Sequence, residues 1–185
     1  MAFDEQRTVR AVRDLLAGLG ADPDAAELAD TPRRVAEFWK ERLDGYVMDL
    51  AGELKPLPGD LAPCPVILER VPFTSTCEHH LAPFTGLATV GYLPGAGGTV
   101  GLSKLVRLVQ AFAHRLQVQE RMTVEISRAM EAHLRPVAWG VKLVAIHTCM
   151  AHRGVRTPEV PVTTLALGGA WRERTPEAFQ ARAER

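Results

Sequence analysis

Two pairs of strand-like segments, with two helix-like segments between them, constrain this chain more than any other feature. Val66 to Phe73 and Phe84 to Leu93 are apolar runs that adjoin in sequence, and Val137 to Met150 with Val162 to Leu167 form the second pair. Between them, Ser103 is a good N-cap for a helix carrying Val106, Val109 and Phe112. A second helical segment carries Met122, Ile126 and Met130, and Pro136 marks its end. Strands that follow one another directly pair antiparallel, and helices inserted between the pairs cover one face. The pattern predicts an α+β fold, an antiparallel sheet with two helices on one face, rather than a doubly wound parallel sheet.

The flanks add a helical region and a loop. Residues 1–50 read as an N-terminal helical region. Val9, Val12, Leu15, Leu16 and Leu19 recur at helical spacing, with Gly20 as the stop. Thr31-Pro32 then opens a helix whose apolar face is Val35, Phe38, Trp39 and Leu43. Residues 51–65 hold Pro56, Pro58, Pro63 and Pro65 with two glycines and read as a linker or loop. Residues 66–185 form the main domain, closed by a short polar helix after Thr175-Pro176. The turn Pro94-Gly95-Ala96-Gly97-Gly98 lacks a P-loop lysine and reads as a connection.

Charge and cysteine usage narrow the partners. The 185 residues hold 22 basic and 22 acidic side chains, so no basic excess points to nucleic acid or an acidic membrane. A net charge near zero suits self-association. Three cysteines are too few for a disulfide framework, so a reducing compartment is expected. The first residues carry neither a basic nor an apolar leader pattern, and no apolar run reaches membrane-spanning length. A cytoplasmic protein is the expectation.

Cys77-Glu78-His79-His80 carries the chemistry. One turn of backbone brings Cys77 and His80 to a single metal ion, and Cys149 offers a third ligand from Ile146-His147-Thr148-Cys149-Met150. Along an undistorted strand, His147 and Cys149 point to one face. Three protein ligands leave a position open for water, the pattern of a catalytic zinc rather than of a closed structural one. His79 and His147 would then stand beside the ion with free rings, able to move protons. The competing reading makes Cys77 and Cys149 ordinary buried cysteines. Cys64, between Pro63 and Pro65, reads as structural.

Three further clusters are ambiguous by themselves. Lys104 and Arg107 are neighbours in the first turns of a helix, where basic groups are unfavourable unless an anion sits at that end; a solvated basic face is the plainer reading. Gln119 and Glu120, in Gln117-Val118-Gln119-Glu120-Arg121, offer the groups a guanine edge would want, or a surface cap. Arg153, in Arg153-Gly154-Val155-Arg156, could present a planar fork to phosphate.

Taken together, the segments resemble the GTP cyclohydrolase I family. Thr76 to Phe84 looks like its zinc loop, Gly101 to Leu105 and Arg115 to Arg121 like its later motifs, and His147 to Val155 like its third-ligand segment; Asp30 to Ala36 also fits. The resemblance implies a tunnelling fold (T-fold) catalytic domain over 66–185, assembled as a homodecamer with active sites between subunits. It implies hydrolysis of GTP at C8 by zinc-activated water, release of formate and formation of 7,8-dihydroneopterin triphosphate, the first step of tetrahydrofolate or pterin biosynthesis. Cys77, His80 and Cys149 would be the Zn2+ ligands, with His79 and His147 shuttling protons. Glu120 would anchor the guanine edge with Gln119 beside it. Lys104, Arg107 and Arg153 would hold the triphosphate, and Ser103 would sit near the ribose and phosphates.

The chain departs from the family pattern mainly after Arg156. There Thr157 to Leu165 replaces a lysine, a Pro-Gly-Ser turn and a Thr-Val-Thr-Ser strand, and Gly168 stands where an arginine is usual; earlier, His152 stands where methionine is common and His114 where arginine is common. Two alternatives follow. One is a paralogue that acts on a related purine nucleoside triphosphate or stops at a formylated intermediate. The other is a non-catalytic pterin- or purine-binding protein of the same fold. The zinc-deaminase pattern is absent.

Overall fold

The computed structural model describes residues 3–57 and 64–180. Five strands form one sheet in the order β3-β1-β2-β4-β5: β1 Val66–Cys77, β2 Pro83–Leu93, β3 Leu116–Gln117, β4 Ala138–His147 and β5 Val162–Gly169. The pairs β1–β2, β2–β4 and β4–β5 are antiparallel; the first and last are the sequence-adjacent pairs expected, and the β2–β4 pairing joins them. The α+β expectation holds. The two-residue β3 was not foreseen; it runs parallel to β1, pairing Leu116 with Thr76 and Gln117 with Cys77. A bulge interrupts β1 between Leu68 and Val71, where Arg70 adopts φ 58°.

The two expected helices, α4 Leu102–Ala113 and α5 Gln119–Leu134, pack on the sheet. Leu105, Leu108, Val109 and Phe112 of α4 and Met122, Ile126 and Met130 of α5 are buried against Phe84, Val90, Val141 and Leu143. Tyr92 is fully buried in this core, and its hydroxyl accepts from the Val100 amide at 2.9 Å, which satisfies its polar end. The N-cap of α4 is Gly101, so Ser103 lies inside the first turn and does not cap the helix. Val118 precedes α5, and Arg135, at φ 41°, ends it one residue before Pro136.

The opposite face is covered at one end by the C-terminal segment. Trp139 belongs to the main core and Ala138 to a second cluster with Trp171 and Phe179, because neighbouring strand residues face opposite ways. The expected polar helix after Pro176 is instead a single tight turn, Glu177–Phe179, whose Phe179 is completely buried. Apolar docking of Phe179, not helix propensity, decides its shape.

The N-terminal region contains α1 Glu5–Gly18 and α2 Thr31–Arg42. The Asp4 side chain accepts from the Arg7 amide at α1's start. At its end Gly20, at φ 83°, donates to the Ala17 carbonyl, and Ala21 donates to that of Leu16, which completes the expected stop. No residue of α1 is buried, and Leu15 and Leu19 are 59% and 74% exposed. On α2, Phe38 is exposed while Pro32 and Ala36 are buried, so the packed face is rotated from the expected one. The segment read as a linker begins with a short helix, α3 Leu50–Glu53, and Leu54 enters the main core. Residues 58–63 of that segment lie outside the described residues, and Cys64 is an exposed free thiol.

Candidate metal centre and active site

The metal-ligand candidates come from the ends of two strands that the sheet brings together. Cys77 is the last residue of β1, and its amide donates to the Ala82 carbonyl at 2.8 Å, closing the loop that holds Glu78, His79 and His80. Pairing of β2 with β4 sets Phe84 opposite His147, the last residue of β4. The expected strand does not reach Met150. After His147 the chain turns into α6 Thr148–Ala151, fastened by the Thr148 hydroxyl on the Pro83 carbonyl. The same-face strand argument for His147 and Cys149 therefore fails, and a helical turn delivers Cys149 instead.

That turn places one donor atom each of Cys77, His80 and Cys149 within 4.8 Å of one another, the group among the described residues whose geometry could hold a metal ion. The donor set fits a soft or borderline cation. Burial, and next the neighbouring Cys77, push the Cys149 thiol above its ordinary pKa. A thiol whose ionisation is opposed in this way is what a cation would relieve, because coordination deprotonates a thiol.

Around this trio lies a pocket of ≈ 170 Å³ lined by Cys77, His79, Glu120, His147, Cys149 and neighbouring residues. His79 approaches the Cys77 sulfur with Nδ1 at 3.8 Å while most of its ring stays exposed. His147 stacks flat on Phe84, with ring centroids 4.5 Å apart. Burial pushes the His147 imidazole below its ordinary pKa, and the Glu120 carboxylate opposes that shift in part. Arg153 brings Nη1 within 2.6 Å of Nε2 of His80.

The short β3 explains how Glu120 arrives. Its pairing beside Cys77 starts α5 next to the metal loop, so Gln119 and Glu120 form the helix's first turn there. Gln119 has a different place from the one its motif suggests. It is fully buried, and its amide nitrogen donates to the Leu143 and Val162 carbonyls and to the Thr164 hydroxyl. Its oxygen therefore faces Nε2 of His147, at 2.7 Å. Glu78 is drawn away from the trio by Arg121, at 2.6 Å, and that contact holds its carboxyl below the usual range.

The remaining expected residues stand elsewhere. Lys104 and Arg107 both donate to one oxygen of Glu53, each at 2.9 Å, and neither lines the pocket; exposed Ser103 does not line it either. Since α4 runs toward β3, its end lies at the metal side of the sheet. At 1.5 Å per residue, its start is about 15 Å away. Glu53 was missed from the sequence because nothing in its local context marks it.

The sequence model of the GTP cyclohydrolase I family matches residues 8–183. The chain belongs to the GTP cyclohydrolase I family. It is 46% identical to the GTP cyclohydrolase 1 of Mycobacterium leprae over 171 residues, covering 92% of this chain and 83% of that one. The Corynebacterium glutamicum GTP cyclohydrolase 1 is 44% identical, with 92% and 87% covered. The Mycolicibacterium vanbaalenii GTP cyclohydrolase 1 is 44% identical over 182 residues, with 98% and 89% covered. The match includes the segment after Arg156, so its departures lie within the GTP cyclohydrolase I frame. No helix of the described residues is long and apolar enough to cross a membrane.

Proposed function

We propose that the chain hydrolyses GTP as a zinc-dependent GTP cyclohydrolase I. The guanine imidazole ring opens at C8, formate leaves, and 7,8-dihydroneopterin triphosphate forms. The observation that carries this reading is the convergence of Cys77, His80 and Cys149 beside a pocket walled by His79, Glu120 and His147. Cys77, His80 and Cys149 would hold Zn2+, which when bound supplies Lewis acidity and a water of lowered pKa.

The chain's own groups do the rest. The Glu120 carboxylate accepts from the guanine N1–H and 2-amino group and fixes the base. His147, with its Nε2 proton committed to Gln119, exchanges protons at Nδ1. Its lowered pKa keeps it neutral and able to accept a proton near neutral pH. His79 is open to solvent and can pass a proton outward. Lys104, Arg107 and Arg153 hold the triphosphate, with Ser103 near the ribose.

The same reading includes a homo-oligomer, the family's decamer, with the site shared between subunits. The pocket is smaller than the several hundred Å³ usual for such ligands. The Lys104–Arg107 cations at the far end of α4 support completion by a neighbouring copy.

The test is incubation with GTP, assayed separately for formate and for pterin fluorescence, with assembly size measured by analytical ultracentrifugation. Both products are expected. Formate alone would favour a reaction halted at an intermediate, and neither product would reject the reading.

A further inference from the structure

We propose that Glu53 is a built-in competitor of the substrate's polyphosphate: its carboxylate occupies the Lys104–Arg107 grip when no nucleotide is bound, and must swing out for binding. This rests on the reading of those two cations as the triphosphate grip.

One Glu53 oxygen, Oε2, accepts from Lys104 Nζ and from Arg107 Nη1, both at 2.9 Å. A shared carboxylate oxygen between an ammonium and a guanidinium imitates a phosphate oxygen. The contact bridges more than fifty residues of sequence, so it is not a local helix pair. Its placement is built: Leu54 is 3% exposed in the main core and Leu50 packs against that core, which pins both ends of α3. Glu53 itself remains partly exposed, with side-chain exposure of 28%, so it can leave without opening the core. The two cations stand in the first turns of α4, where the helix dipole disfavours them and an anion relieves the conflict. Glu53 supplies that anion in the resting chain. A triphosphate carries several times the charge and displaces it, whereas a short phosphate competes poorly.

The experiment is calorimetric titration of the full-length protein with inorganic tripolyphosphate at constant ionic strength, using wild type, Glu53→Gln, Glu53→Asp, Lys104→Ala and Arg107→Ala. Removing an internal competitor raises apparent affinity by the reciprocal of the fraction of sites it had left open, here about three- to tenfold for Glu53→Gln. Glu53→Asp, charged but shorter, should fall between Glu53→Gln and wild type, and gives a second reading if Glu53→Gln is poorly folded by circular dichroism. Unchanged or weaker binding in folded Glu53→Gln or Glu53→Asp, with clear loss in the Lys104 and Arg107 variants, overturns this proposal alone. Unchanged binding in the Lys104 and Arg107 variants overturns the grip reading and this proposal with it.

Discussion

The side-chain oxygen of Gln119 and Nε2 of His147 lie 2.7 Å apart, and the Gln119 amide nitrogen is fully engaged on the other side by Leu143, Val162 and Thr164. The glutamine cannot flip, so it fixes which ring nitrogen of His147 carries the proton. Gln119→Glu would turn a carboxylate oxygen toward two carbonyls and charge the imidazole. We expect a fall in kcat of at least about tenfold with a smaller change in KM. Unfolding in urea should show a loss of about 1–3 kcal/mol. Steady-state kinetics with GTP checks the first, and wild-type kcat in this variant would remove the tautomer role.

Ligands and proton carriers should separate by metal content. Cys149→Ser should lose both bound metal and turnover. His79→Ala should keep stoichiometric zinc yet lose about a hundredfold or more in kcat. Elemental analysis beside kinetics distinguishes them. Chelation of the wild type should abolish activity, and added Zn2+ should restore it.

The Glu53 bridge has a pH signature. Its hydrogen bonds to Lys104 and then Arg107 hold the carboxyl below the usual range. A depressed folded-state pKa stabilises the fold above the unfolded value and ceases to do so as pH falls through the folded one. The difference in Tm between wild type and Glu53→Gln should therefore be constant near neutrality and close below the ordinary carboxylate range. A difference that persists unchanged into that acid range would contradict the bridge.

Gly168 and Trp139 face each other across β4 and β5. A Cβ at Gly168 would fall inside the Trp139 indole, which is itself fixed by a hydrogen bond to Ser127 at 3.0 Å. Any side chain at this position is thus excluded by a tryptophan on the neighbouring strand. Gly168→Ala should cost about 1–3 kcal/mol, and Trp139→Ala combined with it should cost less than the two singly. Urea denaturation of the four proteins measures the coupling.

The sequence was most legible where a pattern repeats. The antiparallel pairs β1–β2 and β4–β5, the burial of Met122, Ile126 and Met130, and the stop at Gly20 follow from periodicity and turn chemistry. It was least legible where a tertiary contact decides. The two-residue β3 is too short to leave a period, yet it brings Glu120 to the metal loop. Cys149 was expected at the site, but through a strand; the Thr148–Pro83 contact, invisible locally, turns the chain there. Gln119 reads beside Glu120 at the guanine edge, with a surface cap as the plainer reading, and its burial depends on acceptors from β4 and β5. Phe38, Leu15 and Leu19 have the spacing of core residues yet remain exposed.

The ligand trio joins the end of β1 to the turn after β4, across roughly seventy residues of intervening chain. An ion held there would act as a reversible crosslink between these two segments, beside the Arg153–His80 contact that already joins them. Its loss would leave each hairpin intact but free the sheet's middle to open sooner. Amide exchange would then quicken first around Phe84 and His147, so that metal occupancy sets the lifetime of the native sheet as well as its chemistry.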